Sequence, residues 1–283
     1  MSKVYVFYNP LSSGGHGIDN AEKVKALYEE CQFCDMTDPK TYGEILPSIG
    51  HDDKLVICGG DGTLNRMINT TSLDPDQCEI LFSPSGTGND FARDLGKEAA
   101  TEPFRINEYL KNLPTVEVNG KTYKFFNGVG YGIDGYCCEV GDEMHKKSDK
   151  PVNYTSIAIN GLLFHYKPTT ATVTVDGETH VFKKAWLAPT MNGRFYGGGM
   201  NAAPEQDRLH NETLSVMLFH GAGRIRTLMA FPSIFKGEHI KHTKMVTIMT
   251  GKEIKVEFDS PRALQIDGET ITGVSGYSAK APQ

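Results

Sequence analysis

The fold of the first part of the chain follows from the stretch Leu55-Val56-Ile57-Cys58-Gly59-Gly60-Asp61-Gly62-Thr63-Leu64-Asn65. Its apolar first residues predict a buried strand, which the glycines end in a tight turn. A helical pattern over residues 63–71 follows this turn. Because the first N–H groups of a helix have no acceptor inside it and its dipole is positive there, the junction can hold an anion such as a phosphate.

Asp61 does not suit a bare phosphate cradle, because its carboxylate repels the anion. A Mg²⁺ ion between the carboxylate and the phosphate removes this repulsion. The stretch contains neither the Gly-Lys-Ser/Thr of a Walker loop nor a dinucleotide G-x-G-x-x-G. A tight turn in which Asp61 only caps the helix stays open as the structural alternative.

A second glycine loop, Ser83-Pro84-Ser85-Gly86-Thr87-Gly88-Asn89-Asp90-Phe91, follows the next predicted strand and precedes a predicted helix. Thr87 can donate a hydrogen bond to a phosphate oxygen, and Asp90 can hold metal-bound water or cap its helix. A third polar turn, Asn9-Pro10, ends the strand predicted over Val4–Tyr8. In a parallel sheet all three turns lie outside the carboxyl ends of the strands, where ligands bind.

The strand–loop–helix alternation of residues 1–115 predicts a Rossmann-like α/β lobe with a parallel sheet. After residue 115 the pattern changes to alternating strands. Asn119-Gly120 and Asp176-Gly177 each separate two such strands and are strong hairpin signals. Residues 116–269 are therefore predicted to form a mostly antiparallel β-sandwich lobe.

Composition narrows the class of protein. The chain has 283 residues, a net charge of −6 and six cysteines. A nucleic-acid-binding protein usually carries a basic excess, so that class is disfavoured. No apolar run approaches the roughly 20 residues that span a bilayer, and no secretion signal is visible, so we expect a cytoplasmic protein with free thiols. Cys31 and Cys34 form a C-x-x-C, for which small buried side chains are favoured over a redox or metal role.

One stretch of the chain is basic, although the net charge of the whole chain is negative. It contains Lys236, His239, Lys241, His242 and Lys244. One interpretation is a solvated loop, and the other is a patch that meets anionic membrane headgroups. Five aromatic residues could also line a lipid pocket, although each alone is more often a core residue. These aromatic residues are Phe164, Tyr166, Phe195, Tyr196 and Phe231.

The two glycine loops together resemble the signature loops of the diacylglycerol kinase catalytic domain family, which includes soluble bacterial diacylglycerol kinases and eukaryotic sphingosine and ceramide kinases. The resemblance is carried by Gly59-Gly60-Asp61-Gly62-Thr63-x-Asn65 and by Pro84-x-Gly86-Thr87-x-Asn89-Asp90-Phe91-Ala92. Weaker matches, such as Phe126-Asn127 and Ile266-Asp267-Gly268-Glu269, extend it over nearly the whole chain.

This resemblance implies an ATP- and Mg²⁺-dependent kinase that phosphorylates a lipid hydroxyl, with diacylglycerol as the first acceptor and phosphatidic acid as the product. ATP would lie in a cleft between the lobes, and residues 270–283 would return to the first lobe. An acidic network of Asp61, Asp90 and Glu117 would surround Mg²⁺, and Asp267 would be the general base with Glu269 beside it. The residues expected at the nucleotide are Asn9, Gly59, Gly60, Asp61, Gly62, Thr63, Asn65, Gly86, Thr87 and Asn89.

The role of Asp267 rests on the resemblance, because Asp267-Gly268-Glu269 could equally be a hairpin turn. A second D-G-E, Asp176-Gly177-Glu178, lies between two alternating strands and is predicted to be only a turn. A lipid hydroxyl is a weak nucleophile, so phosphoryl transfer needs a carboxylate that accepts its proton. Asp267 is a sensible candidate if its lobe brings it to the nucleotide.

Two departures from the family pattern bear on function. Arg66 stands where the family usually has Glu, and Asn211 stands where Gram-positive relatives have a metal-binding Asp, so we predict no second metal site. The alternatives are an NAD kinase-like enzyme, which shares the first loop, and a weakly catalytic nucleotide-binding or membrane-sensing protein. The expected partner is a lipid at the inner membrane surface, no nucleic-acid partner is expected, and a homodimer is left open.

Overall fold

The computed structural model describes residues 2–10, 12, 17–28, 30–86, 88–147, 152–210 and 212–282. The chain divides into two units, Met1–Asn112 and Leu113–Gln283. The change from strand–helix alternation to alternating strands, predicted after residue 115, lies within a few residues of this division.

The first unit alternates strands and helices. Its elements are β1 (Val4–Tyr8), α1 (Gly17–Lys25), β2 (Cys31–Asp35), α2 (Leu46–Ser48), β3 (Lys54–Gly59), α3 (Asp61–Thr70), β4 (Glu79–Pro84), α4 (Asp90–Asp94), β5 (Phe104–Arg105) and α5 (Asn107–Leu110). The strand order is β2-β1-β3-β4-β5, in which the first four strands are parallel and β5 is antiparallel to β4. The predicted Rossmann-like parallel sheet is confirmed.

The strands of this sheet are covered on both faces, as their apolar runs predict. On one face, Val6 and Val56 pack against Ala21 and Val24 of α1. Successive residues of a strand point to opposite faces, and Ile57, the next residue of β3, is fully buried. Because β1 lies between β2 and β3, the turns after β1 and β3 leave the sheet at a topological switch point, where open α/β sheets bind ligands.

The second unit is mostly β. Its strands are β6 (Thr115–Val118), β7 (Lys121–Lys124), β8 (Gly128–Tyr131), β9 (Thr169–Val175), β10 (Glu178–Ala185), β11 (Thr190–Met191), β12 (Phe195–Tyr196), β13 (Met200–Asn201), β14 (Leu214–Phe219), β15 (Val246–Gly251), β16 (Glu253–Ile266) and β17 (Glu269–Lys280). Its helices are α6 (Ile133–Lys147), α7 (Tyr154–Asn160) and α8 (Arg224–Ala230), with a π-helical turn at Gly161–His165 and 3₁₀ segments at Phe231–Lys236 and Glu238–Lys241.

Strand β16 joins the hairpin of β9 and β10 to the main sheet of this unit. The main sheet has the order β15-β14-β11-β8-β16-β17-β6-β7, and every pairing in it is antiparallel. Residues 254–258 of β16 pair with β9, whereas residues 264–266 pair with β8. Register shifts separate these two parts, and such bulges bend a strand. The predicted antiparallel, β-sandwich-like fold is confirmed.

The position of the C-terminal strand, β17, differs from the expectation. The resemblance implies that residues 270–283 return to the first unit, but β17 lies in the second unit, paired with β16 and β6. The physical reason is the turn before it: Asp267 and Gly268 have φ values of 47° and 100°. Positive φ at both central residues defines a two-residue hairpin turn, which directs β17 back along β16.

Helix α6, 15 residues long, is missed by the sequence patterns. Its glycines lower helix propensity, but packing requires them. A Cβ on Gly135 would lie 2.0 Å from the carbonyl oxygen of Ala263, and one on Gly141 would lie 2.6 Å from the ring of Tyr154. Close packing on β16 and α7 therefore outweighs local propensity. In the described part of the chain, no helix has the length and apolarity to cross a membrane.

The C-x-x-C lies on β2. All six cysteines are free thiols, and Cys34 is buried. Burial raises the pKa of the Cys34 thiol to about 11. The thiolate that redox or metal chemistry requires is therefore disfavoured, which supports a packing role for this side chain.

Candidate functional site

The glycine turns after β3 and β4 touch each other. A Cβ built on Gly60 would lie 3.0 Å from Cα of Gly86, and one built on Gly86 would lie 2.7 Å from Cα of Gly60. The N–H of Ser85 donates to the carbonyl oxygen of Gly59 at 2.9 Å. Backbones approach this closely only where side chains are absent, so the two turns form one continuous backbone surface at the carboxyl edge of the sheet.

This surface includes the start of α3. Gly60 is the N-cap residue, and its carbonyl oxygen accepts hydrogen bonds from the N–H groups of Thr63 and Leu64. A Cβ on Gly59 would lie 2.2 Å from Oγ1 of Thr63. The first N–H groups of the ten-residue helix therefore emerge beside glycine backbone, which is the arrangement that binds phosphate.

Two residues predicted at the nucleotide lie beneath this surface. Thr63 and Asn65 are 6% and 5% exposed. The Asn65 side-chain oxygen accepts a hydrogen bond from the amide of Asn69 at 3.3 Å, one turn further along α3. In this structure Thr63 and Asn65 support the turn from within the protein.

The carboxylate of Asp61 ties the two loops together. Its Oδ2 accepts a hydrogen bond from the N–H of Asp90 at 2.8 Å, and its Oδ1 accepts one from the N–H of Phe91 at 2.9 Å. Asp61 thus caps a helix, as the structural alternative requires, but the capped helix is α4 rather than α3. The spacing of the two glycine turns depends on these two hydrogen bonds.

We expect Asp61→Ala to lower the free energy of unfolding by about 1–2 kcal/mol, because two N–H groups at the start of α4 lose their acceptor. Binding of ATP in the presence of Mg²⁺ should fall with it, since the turns lose their fixed spacing. Chemical denaturation and a nucleotide titration measure the two effects. Asp74→Ala is the matched control, since the carboxylate of exposed Asp74 accepts a local hydrogen bond, from the N–H of Asp76 at 2.9 Å. Unchanged unfolding and nucleotide binding in Asp61→Ala would show that the two hydrogen bonds of Asp61 do not fix the spacing of the turns.

Asn89 closes the second loop on itself. Its φ of 46° is in the left-handed region, which Asn adopts more readily than most residues. Its Oδ1 accepts a hydrogen bond from the N–H of Gly86 at 3.0 Å, and its Nδ2 donates to the carbonyl oxygen of Gly86 at 2.7 Å. Asn89 therefore shapes the backbone of the loop. Thr87, predicted to contact phosphate, lies outside the described residues.

The turn after β1 is shaped by a carbonyl group. The Asn9 carbonyl oxygen accepts hydrogen bonds from the N–H and the hydroxyl of Ser12, at 3.0 and 2.8 Å. A Cβ on Gly17, the first residue of α1, would lie 1.9 Å from the same oxygen. Helix α1 therefore starts directly against this turn. Residues 11 and 13–16, between Asn9-Pro10 and α1, lie outside the described residues.

The predicted acidic network is divided between the units. Asp61 and Asp90 lie in the first unit, whereas Glu117 is exposed on β6 of the second. Among the described residues, no group of three or more His, Cys, Asp or Glu side chains is arranged to hold a metal. Asp94, a buried carboxylate one turn beyond Asp90, is missed by the sequence argument; its i, i+4 spacing is the available signal. Mg²⁺ commonly uses only one or two carboxylates together with water and substrate phosphates.

In the second unit, Asp267 is anchored by backbone N–H groups. Its Oδ2 accepts from Phe126 at 2.6 Å, and its Oδ1 accepts from Asn127 and Gly128 at 2.8 and 3.0 Å. The residue is 8% exposed. Asp267 is therefore both the first residue of a hairpin turn and a buried carboxylate whose charge and orientation three N–H groups stabilise.

The carbonyl side of the same backbone segment is bound by Arg208 and Asn192. Arg208 donates to the carbonyl oxygen of Phe126 at 3.1 Å and to the side-chain oxygen of Asn127 at 3.0 Å. Asn192 donates to the Phe126 carbonyl oxygen at 2.9 Å. The sequence contains no spacing signal for Arg208, because 82 positions separate it from Phe126.

The two D-G-E turns have the same backbone but different surroundings. Both Asp176 and Asp267 have φ of 47°. The exposed Asp176 carboxylate accepts from the N–H groups of Lys252 and Glu253 at 2.9 and 2.8 Å, so its predicted role as a turn is confirmed. Glu269, predicted beside the general base, is exposed at the start of β17.

A second buried carboxylate of this unit, Asp134, is missed by the sequence argument. It is 8% exposed, and its Oδ1 accepts a hydrogen bond from the N–H of Gly135 at 3.0 Å. Burial raises the pKa of Asp134 to about 6. Burial and the neighbouring Asp134 carboxylate also raise the pKa of Tyr196 well above its usual value.

We expect Asp134→Asn to gain stability relative to the wild type as the pH rises from about 4 to about 8, by about 2–3 kcal/mol. The folded-state pKa lies above the ordinary value of 3.8, so folding favours the protonated acid. This stabilisation is complete below about pH 4 and is lost as the pH rises through about 6, whereas Asn does not ionise. Denaturant unfolding at both pH values measures the difference, with Asp142→Asn, an exposed Asp of α6, as the control. A pH-independent difference would show that Asp134 does not titrate in this range.

The fold and its two polar sites define a class of protein: a parallel α/β unit with paired glycine turns, followed by an antiparallel β-sandwich-like unit. Residues 3–115 match the family model described as "Diacylglycerol kinase catalytic domain". Residues 127–283 match the one described as "YegS C-terminal NAD kinase beta sandwich-like domain". The chain belongs to the diacylglycerol kinase catalytic domain family, with the YegS-type C-terminal domain.

Named relatives match most of the chain at low identity. The "Putative lipid kinase YtlR" of Bacillus subtilis is 28% identical over 321 aligned positions, covering 100% of this chain and 98% of that protein. A "Diacylglycerol kinase" of Mycobacterium tuberculosis is 26% identical, covering 91% and 85%. The crystal structure of a "putative diacylglycerol kinase" from Bacillus anthracis superimposes with a TM-score of 0.68 at 20% identity, covering 100% of this chain and 93% of that one. The last similarity shows a common fold.

Proposed function

We propose that the protein is an ATP- and Mg²⁺-dependent kinase that transfers the γ-phosphate of ATP to a lipid hydroxyl, with diacylglycerol as the first acceptor and phosphatidic acid as the product. The observation that carries the proposal is the direct contact between Gly60 and Gly86, which joins two glycine turns at the ligand-binding edge of a parallel sheet. The names of relatives matched over most of their length support a lipid acceptor. The proposed place of action is the cytoplasmic side of a membrane.

The joined turns would bind the phosphates of ATP. Gly59, Gly60 and Gly62 give backbone access at the start of α3, and Gly86 does so in the second turn. Thr87 would donate to a phosphate oxygen. Asn9, Thr63, Asn65 and Asn89 would hold the turns in shape, and Mg²⁺ would neutralise phosphate charge, with Asp61, Asp90 and Glu117 as its candidate ligands.

Asp267 would accept the proton of the lipid hydroxyl. As that O–H bond breaks, the oxygen forms a bond to the γ-phosphorus, the bond from the γ-phosphorus to the β–γ bridging oxygen breaks, and ADP leaves with the electron pair. The three N–H groups on its carboxylate favour this role by holding both oxygens in a fixed orientation. Glu269 is the second acidic candidate of the same turn.

A transfer assay tests the proposal. The full chain, Mg²⁺ and γ-labelled ATP are incubated with mixed micelles that contain diacylglycerol, monoacylglycerol, sphingosine or ceramide, and with NAD in a separate reaction. We expect labelled phosphatidic acid. Label in NAD alone would identify an NAD kinase, and ATP binding without label in any acceptor would identify a nucleotide-binding protein; either result overturns the proposal.

A further inference from the structure

The three most exposed large apolar side chains of the described residues lie on neighbouring segments of the second unit. Met229 and Ile225 of α8 are 78% and 73% exposed, and Phe164 of the π-helical turn is 70% exposed. The two segments contact each other, because Arg224 donates to the carbonyl oxygen of Leu162 at 2.8 Å. We call Phe164, Ile225 and Met229 the apolar ridge.

The helix that carries the ridge is apolar on two faces. Its inner face is buried in the core of the unit, as expected for a surface helix. The buried residues are Thr227 and Ala230 of α8, together with Phe231 and Ile234 of the 3₁₀ segment that follows it. The outer face of such a helix is normally polar, but here Ile225 and Met229, spaced i, i+4, lie together on it. An exposed apolar face of this kind indicates a binding surface rather than a solvated one.

The chain around the ridge is basic. Residues 224–244 contain five Lys or Arg and one Glu, a net charge of +4 in a chain whose total is −6. Arg226, Lys236 and Lys244 are exposed, while Lys241 is paired with Glu238 at 2.8 Å. His239 of the predicted basic stretch is buried, and burial lowers its pKa, so it adds no charge to this surface.

A cavity beside Phe164 carries more basic than acidic side chains. It has a volume of about 340 Å³, and its lining includes His165 and Lys167, one and three residues after Phe164, together with Arg262. Glu139 is the acidic member of the lining. A lipid phosphate matches this predominance of basic groups.

We propose that the apolar ridge and the basic side chains around it dock the protein on a bilayer that contains anionic phospholipids. Apolar side chains inserted at the level of the headgroups, surrounded by Lys and Arg, are the combination by which peripheral proteins bind such surfaces. A second copy of this chain is disfavoured as the occupant, because a symmetric contact would place two net positive segments against each other. This docking surface is independent of the proposed kinase activity.

Co-sedimentation of the full chain with vesicles tests the proposal, without nucleotide present. The wild type should bind vesicles of equimolar phosphatidylcholine and phosphatidylglycerol, and bind pure phosphatidylcholine more weakly. Ile225→Ser/Met229→Ser should lower the partition coefficient by at least about tenfold. Val181→Ser, on the edge strand β10 and 63% exposed, is the matched control and should bind as the wild type does.

A charge variant separates the electrostatic contribution. Lys236→Gln/Lys244→Gln should weaken binding to the anionic vesicles by about fivefold per charge and leave binding to phosphatidylcholine unchanged. Lys121→Gln/Lys124→Gln removes two exposed charges on β7, at the opposite end of the main sheet from β15, and should have little effect. The proposal is overturned if Ile225→Ser/Met229→Ser, folded by circular dichroism, binds vesicles as the wild type does. It is also overturned if that variant instead abolishes a dimer seen by sedimentation velocity.

Discussion

Replacing Asp267 with Asn should reduce phosphoryl transfer to the lipid by about 10²–10⁴-fold, because the amide cannot accept the hydroxyl proton. The affinity for ATP should stay near that of the wild type, since the proposed nucleotide turns belong to the first unit. The variant should also lose about 1–3 kcal/mol of stability, because the new NH₂ group cannot accept from an N–H of residues 126–128. Initial transfer rates, an ATP titration and denaturant unfolding measure the three quantities.

Asp176→Asn is the matched control for this experiment. Asp176 begins the same tripeptide, has the same φ as Asp267 and also accepts two backbone N–H groups, from Lys252 and Glu253. The Asp176→Asn variant should therefore perturb its turn in a similar way without reducing phosphoryl transfer to the lipid. Equal rates for Asp267→Asn and Asp176→Asn would exclude Asp267 as the general base.

Replacing Gly86 with Ala should weaken the binding of Mg²⁺-ATP by about 10- to 150-fold, because separating the turns removes a backbone hydrogen bond to a charged phosphate oxygen, which is worth about 1.5–3 kcal/mol. The added Cβ would lie 2.7 Å from Cα of Gly60 and 2.9 Å from Oδ1 of Asn89, so the two turns must separate. Calorimetric titration with Mg²⁺-ATP measures the loss.

Gly43→Ala is the control for Gly86→Ala in the same unit, because a Cβ at Gly43 meets nothing within 4 Å. It should bind nucleotide as the wild type does. If Gly86→Ala is folded and also binds Mg²⁺-ATP normally, the contact between the turns has no role in nucleotide binding.

Local patterns are sufficient to predict β1, β3 and β4 of the first unit, but not β2 and β5, which lie at the two edges of the sheet. Buried strands such as β3 consist of consecutive apolar residues, and the glycines that end them mark turns whose position follows from parallel strand order. The contact between Gly60 and Gly86 follows once β3 is paired with β4, because the turns after both strands leave the same edge of the sheet. Side-chain roles within the turns are less predictable: Asp61 faces the N–H groups of a helix 29 and 30 positions away.

The second unit depends on contacts distant in sequence. Helix α6 forms against its propensity because Gly135 allows close packing on β16, and a single sequence does not show that neighbour. Asp267 could be proposed only from the resemblance, since its partners lie about 140 positions earlier. Arg208 gives no local signal for the same reason, and the burial that raises the pKa of Asp134 is not visible in the sequence. The exposed ridge of α8 is visible only when the buried face of that helix is known.

Hydrogen exchange with and without Mg²⁺-ATP tests most directly whether the joined glycine turns bind the triphosphate. The N–H groups at the start of α3 and in residues 85–91 should be protected on addition of Mg²⁺-ATP, and those of the Asp176 turn should be unchanged. Protection confined to other segments, or no protection at saturating nucleotide, would contradict a nucleotide site at these turns.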